Sequence, residues 1–148
     1  MGRVHVVTAC IAIVLGIAVL IRRKGDGWHR SVGYLYIAAI IVVNFSALGR
    51  VDDSGRPGPF HALAIISIVT TALGWRSLKF RSRRNRNLEA HASFMTWSVI
   101  GVVTAGLAQA GNLQWTRYSP WPVMLVIPVA TAAGLACVPR FVSHQFRR

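Results

Sequence analysis

The chain has 148 residues, enough for one domain, and 53% of them are hydrophobic against 14% charged, a balance too apolar for a water-soluble domain of this size. Net charge is +13, yet the seventeen basic residues sit almost entirely between long uncharged stretches and form no basic groove interleaved with aromatics. Nucleic acid is thereby excluded as a partner, and the lipid bilayer is the expected solvent.

Five stretches are long enough to span about 30 Å of hydrocarbon at about 1.5 Å per residue: Val4 to Ile21, Ser31 to Leu48, Phe60 to Trp75, His91 to Ala110 and Trp121 to Val138. None carries a charge at an interior position. Arg22, Arg23 and Lys24 follow the first stretch directly, with no small-residue cleavage site, so it reads as a retained span rather than a signal peptide. The second starts beside the cluster "GWHRSVGYLY", where His29 and Arg30 meet the apolar run. Between the second and third stretches "GRVDDSGRPGPF" is a turn-rich loop, and its Asp52 and Asp53 read as solvent-facing charges rather than a cation site. The fifth holds Pro122 and Pro128, with Pro139 directly after it, and is expected to be the least regular.

The resulting fold class is an all-α membrane protein, an up-and-down four-helix transmembrane bundle plus a fifth peripheral transmembrane helix. It forms one integral membrane domain over residues 1–148, with a four-helix core at 4–111, an additional helix at 121–139 and a basic tail. The connections Arg22 to Arg30, Arg76 to Glu89 and Arg140 to Arg148 hold thirteen of the basic residues, whereas the alternate segments hold only Arg3, Arg50, Arg56 and Arg117. By the positive-inside rule the N-terminus is outside and the C-terminus cytoplasmic, as an odd number of spans requires. The run "RSLKFRSRRNRNLE" is then a cytoplasmic topogenic loop lying against anionic head groups. Cys10 and Cys137 fall at depths that forbid a disulfide, and each reads as a small packing residue.

Four of the five histidines stand at span starts: His5 and His61 at the outer ends of helices 1 and 3, His29 and His91 at the inner ends of helices 2 and 4. In an up-and-down bundle this places one pair at each membrane face, drawn from helices diagonal across the core, where a disc-shaped ligand is gripped from both sides. Helical spacing puts Gly33, Tyr36 and Asn44 on the face below His29, Ala9, Ala12 and Gly16 below His5, and Met95, Ser98, Val102 and Gln109 along the face of His91. Small residues there allow close approach of a helix or a flat macrocycle, and the polar ones would be costly facing lipid. The plainer reading is that each histidine is an interfacial hydrogen-bonding anchor. His144, in the tail, has no counterpart.

The segments "WHRSVGYLYIAAI", "GPFHALAIISIVTTALGWRSLK" and "LEAHASFMTWSVIGVVTAGLAQ" resemble the bacterial membrane proteins grouped as Domain of Unknown Function 2306 (DUF2306), and "VHVVTACIAIVLGIAVLI" looks like the leading helix found before them. The resemblance covers Val4 to Gln109 and is most specific at His29, Arg30, Gly33 and Tyr36, at Phe60 and His61, and at His91 and Met95. Many members show a basic residue after the last histidine, where this chain has Ala92. The resemblance implies a multi-pass protein of the bacterial inner membrane, supplies no settled activity, and implies that the four histidines belong to the family pattern. In architecture alone the arrangement is similar to two-haem membrane cytochromes of the b561 type.

Two functions follow as expectations. The first is transmembrane electron transfer through b-type haem, with His29 and His91 as iron ligands on the cytoplasmic side and His5 and His61 on the outer side. Arg30, Gly33, Tyr36 and Gln109 complete the sites, Gln109 or backbone carbonyls orienting the imidazoles. Arg22, Arg23 and Arg30 inside, and Arg50 or Arg56 outside, are candidates to pair with haem propionates. Neutral imidazole is the ligand form, and helix N-terminal dipoles with adjacent cations favour it. Electrons would pass to or from a redox partner or quinone. Ligands in a helix's first turn leave little protein beyond the haem, so the helices are expected to begin several residues before them. The alternative is a non-catalytic membrane subunit or assembly scaffold whose histidines cap the bundle ends. A divalent-metal site is weaker, because two histidines without carboxylates or thiolates are too few ligands for tetrahedral zinc. No GxSxG, HExxH, P-loop or GxGxxG motif occurs, which sets aside hydrolase and kinase chemistry.

Overall fold

The computed structural model describes residues 2–22, 24–49, 59–78, 84–115 and 121–146, and the side chains of these outside 59–60, 84–85, 109–115, 121–128 and 144–146. Among the described residues five α-helices follow one another: α1 (Arg3–Ile21), α2 (Gly27–Leu48), α3 (Pro59–Ser77), α4 (Arg84–Trp115) and α5 (Trp121–Phe146). No strand occurs among the described residues. Each apolar stretch has become a helix, and the differences lie at the ends.

α2 begins about one turn earlier than its apolar run because Asp26 caps it, the carboxylate accepting the backbone N–H of His29 at 2.7 Å. α4 begins about two turns early, since the polar segment before His91 contains no helix breaker. α5, expected to be irregular and to stop near Val138, runs without interruption past Pro139 to Phe146. A proline deletes a single backbone donor, and an apolar helix in hydrocarbon gains nothing by exposing the rest of its backbone.

Among the described residues three segments are long and apolar enough to cross a membrane: Arg3–Ile21, Gly27–Leu48 and Arg86–Ala108 of α4; α5 adds a shorter apolar helix, Val129–Ser143. Their surfaces match that use. Val14 and Leu135 are each 65% exposed, and Ile11, Leu35, Phe45 and Leu107 also face outward. Burying such a side chain is worth about 1.5–3 kcal/mol in water, so helices apolar on both inner and outer faces are stable only where hydrocarbon covers the outer one. Cys10 and Cys137 lie on these outward surfaces as free thiols, which corrects their reading as packing residues.

The chain divides into two compact units, Met1–Ile68 and Val69–Arg148. In the first, α1 packs along α2. The connection between them is short and tightly built: Gly25 takes φ +89, in the left-handed region that suits glycine. Lys24 Nζ donates to the carbonyls of Val19 at 2.9 Å and Leu20 at 2.8 Å, satisfying two acceptors at the C-terminus of α1. Burial holds the Lys24 ammonium below the usual lysine range. The Arg22 guanidinium lies 4.8 Å above the Trp28 ring. The core of this unit includes Ala12, Tyr36, Ala39, Ile40, Val43 and Ala64 with Gly16. In the second unit α4 packs along α5, and Val99, Val102, Ala108, Val138 and Val142 are buried. Gly134 of α5 receives the Trp97 indole, where a Cβ would stand 2.6 Å from Cη2.

Three buried hydroxyls of α4 find partners on their own helix, as a membrane interior demands. Thr96 donates to the Ala92 carbonyl and Thr104 to that of Ile100, both at 2.7 Å, and Ser98 to that of Met95 at 2.9 Å.

Candidate functional site: the histidine ends of the helices

His5 lies in the first turn of α1, half-buried, and its Nδ1 is 2.6 Å from Ser46 Oγ near the end of α2. A residue early in α1 meeting one late in α2 shows the two helices antiparallel, as their short connection demands. The face below His5 is the packed one: Ala12 is fully buried and Gly16 is buried. His61 lies in the first turn of α3 and is half-buried. In the same unit Asn44, buried, donates from Nδ2 to Ser67 Oγ at 3.0 Å, joining α2 to α3 with a polar group that faces inward as its burial cost requires.

His29 lies in the first turn of α2, its backbone N–H held by Asp26 and its Nδ1 shielded from solvent. One turn on, Gly33 borders open space: a Cβ built there meets nothing within 4 Å. Tyr36, proposed beside it as a cofactor residue, is 2% exposed and belongs to the core of its unit. Arg30 is exposed, and its Nη2 donates to the Gly25 carbonyl at 3.4 Å. Arg22 is stacked on Trp28. Both cations therefore serve the connection itself, while Arg23, Arg50 and Arg56, together with Asp52 and Asp53, lie outside the described residues.

His91, in the second unit, is the most fully defined. α4 starts two turns before it, so the helix continues beyond the ring as the ligand reading expected, whereas α1, α2 and α3 begin only two residues before His5, His29 and His61, against that expectation. The early start of α4 removes the N-terminal dipole as an influence on the His91 imidazole, because that field fades within the first turn. What the ring meets instead is the C-terminal end of α3. The Gly74 carbonyl has lost its helical donor, since the Leu78 N–H turns to the Trp75 carbonyl at 3.2 Å. Two side chains replace it: His91 Nδ1 at 2.8 Å and Ser77 Oγ at 2.7 Å. A carbonyl can only accept, so Nδ1 carries the proton and the lone pair of a neutral imidazole is on Nε2. Gly74 allows the approach: a Cβ there would stand 3.2 Å from Phe94 Cβ and 3.3 Å from Met95 Cε.

One helical turn before Gly74, Thr71 is 5% exposed, and its hydroxyl has no hydrogen-bond partner among the described residues. Ser98 and Val102, read from spacing as the inward face of α4, are buried, with Ser98 2% exposed. Gln109 is on α4, but its side chain lies outside the described residues, as does that of His144 on α5. Among the described residues no three or more histidines, cysteines or carboxylates gather into a group that could hold a metal ion; a bis-histidine site needs only two.

Asp26, Ser46, Gly74 and Ser77 were not anticipated as partners of the histidine ends. Asp26 carried a readable signal, an N-cap residue three positions before His29. Ser46 carried a fainter one, as a polar residue about as far from the connection as His5. A backbone carbonyl carries none.

No curated protein and no solved structure matches this chain. The family model described as "Predicted membrane protein (DUF2306)" matches residues 2–143, which reaches beyond Gln109 to take in α5. With nearly its whole length matched, the chain belongs to the DUF2306 family of predicted membrane proteins.

Proposed function

We propose that this membrane protein is an electron-transfer component of the bacterial inner membrane that holds b-type haem through paired histidines. His29 and His91 are the ligands at the cytoplasmic side, and His5 and His61 those at the outer side. The observation that carries this reading is the hydrogen bond from His91 Nδ1 to the Gly74 carbonyl at 2.8 Å. Metal-ligating histidines characteristically donate their other ring N–H to a carbonyl or carboxylate, which fixes the tautomer and makes the ligating nitrogen more basic. The residues present fit the group in two further respects: Gly33 leaves room one turn from His29, and the buried Thr71 hydroxyl is a donor one turn from the anchor of His91.

Bound haem would supply one-electron redox chemistry. The chain's own residues present the imidazoles and hold the ring proton of His91 on Nδ1. The reading takes an up-and-down bundle of α1 to α4 with α5 at its periphery, an outer N-terminus and a cytoplasmic C-terminus. Its electron partner is a quinone or a second redox protein. A dithionite-reduced minus oxidised spectrum of protein purified from haem-replete cells tests it: Soret and α bands are expected, and His91→Ala should remove about half of their intensity.

The hydrogen bonds also support a second reading. His5 and His91 each fasten one helix to another, and His91 caps α3. A non-catalytic subunit or assembly scaffold needs no more than that, and a spectrum without haem bands would favour it.

A further inference from the structure

Ser46 has one hydroxyl proton and two neighbours. Its Oγ is 2.8 Å from the Val43 carbonyl, which can only accept, and 2.6 Å from His5 Nδ1, which can donate or accept. If the proton goes to Val43, Ser46 must accept from the ring, and both contacts are satisfied at once. If it goes to His5, the Val43 contact becomes two acceptors facing each other. From this we infer that Ser46 is a positioning residue: its Oγ accepts the hydrogen bond of His5 Nδ1–H, fixes the ring tautomer and leaves the basic lone pair on Nε2. The relay runs from His5 Nδ1–H to Ser46 Oγ, then from Ser46 Oγ–H to the Val43 carbonyl, all inside the α1–α2 hairpin.

The arrangement matches that of His91 in its result and differs in its means. At His91 the acceptor is backbone, which no side-chain substitution deletes; at His5 it is a side chain and can be removed. As a ligand assignment the inference rests on the haem reading, and it names the group that orients the outer ligand. As a statement about the tautomer it stands without haem.

Nitrogen-15 NMR of histidine-labelled full-length protein from haem-depleted cells, in nanodiscs at alkaline pH where imidazole is neutral and no iron occupies Nε2, reads the tautomer directly. His5→Gln identifies the His5 resonances by their disappearance. In the wild-type protein His5 Nδ1 should give a protonated, pyrrole-like shift and Nε2 a pyridine-like one. Ser46→Ala should abolish that pattern in favour of the Nε2–H tautomer, and Ser46→Thr, which keeps the hydroxyl, should restore it. A pyridine-like Nδ1 in the wild type, or an unchanged pattern in Ser46→Ala, overturns the inference. Haem bands of the same variants purified from haem-replete cells separate the two claims: their absence with the tautomer shift present removes the haem reading alone, and their presence with no shift in the haem-depleted protein removes the role of Ser46 alone.

Discussion

At the scale of single residues, the histidines are informative through what their Nδ1 atoms touch. A half-buried imidazole that bonds a group on another helix contributes as a tie of about 0.5–1.5 kcal/mol whatever else it does. The His91 tie depends on a glycine. With a Cβ at residue 74 the Met95 methyl can swing aside, but Phe94 Cβ is fixed to its own backbone, so α3 and α4 must part by a few tenths of an ångström. Gly74→Ala is expected to destabilise the protein by about 1–2 kcal/mol, in the range for overpacking a close contact. Thermal unfolding in detergent measures it, and an unchanged midpoint would show that the contact is slack. The sequence exposed the histidines and the small residues beneath them, but not the Gly74 carbonyl, because a backbone acceptor is released by the way a helix ends rather than by residue type.

At the scale of elements, uncharged length was enough to find every helix, since hydrocarbon permits few backbones other than a hydrogen-bonded helix. The ends were less legible. Apolar runs mark where a segment enters lipid, whereas helices start at caps and stop at breakers, which is why Asp26 extends α2 backwards and the polar residues ahead of His91 extend α4. Contacts between helices were beyond reach, as the meeting of Trp97 with Gly134 shows. A methyl at residue 134 would lie 2.6 Å from Cη2 and 2.7 Å from Cζ3 of a rigid ring. Gly134→Ala should therefore cost about 1–3 kcal/mol, and Trp97→Leu in the same chain should recover much of that loss. Additive losses in this double-mutant cycle would mean that the two residues do not meet in the membrane.

At the scale of the whole molecule, charge placement gives the proposed orientation, with thirteen of seventeen basic residues in connections assigned to the cytoplasm. A green fluorescent protein fused after Arg148 should fluoresce and an alkaline phosphatase there should be inactive, with the opposite pattern for fusions in the connection between α2 and α3. Reversal of both would invert the topology and exchange the two faces assigned to the histidine pairs. Family membership over residues 2–143 agrees with the membrane reading and assigns no chemistry, so function depends on what the histidines hold.

The most direct measurement of that is the ratio of haem to polypeptide in the purified full-length protein, by pyridine haemochrome assay against quantitative amino-acid analysis. Two bis-histidine sites predict a ratio near two that falls to near one in either His91→Ala or His5→Ala. A ratio near zero in protein made with ample haem, or one indifferent to both substitutions, would contradict the account.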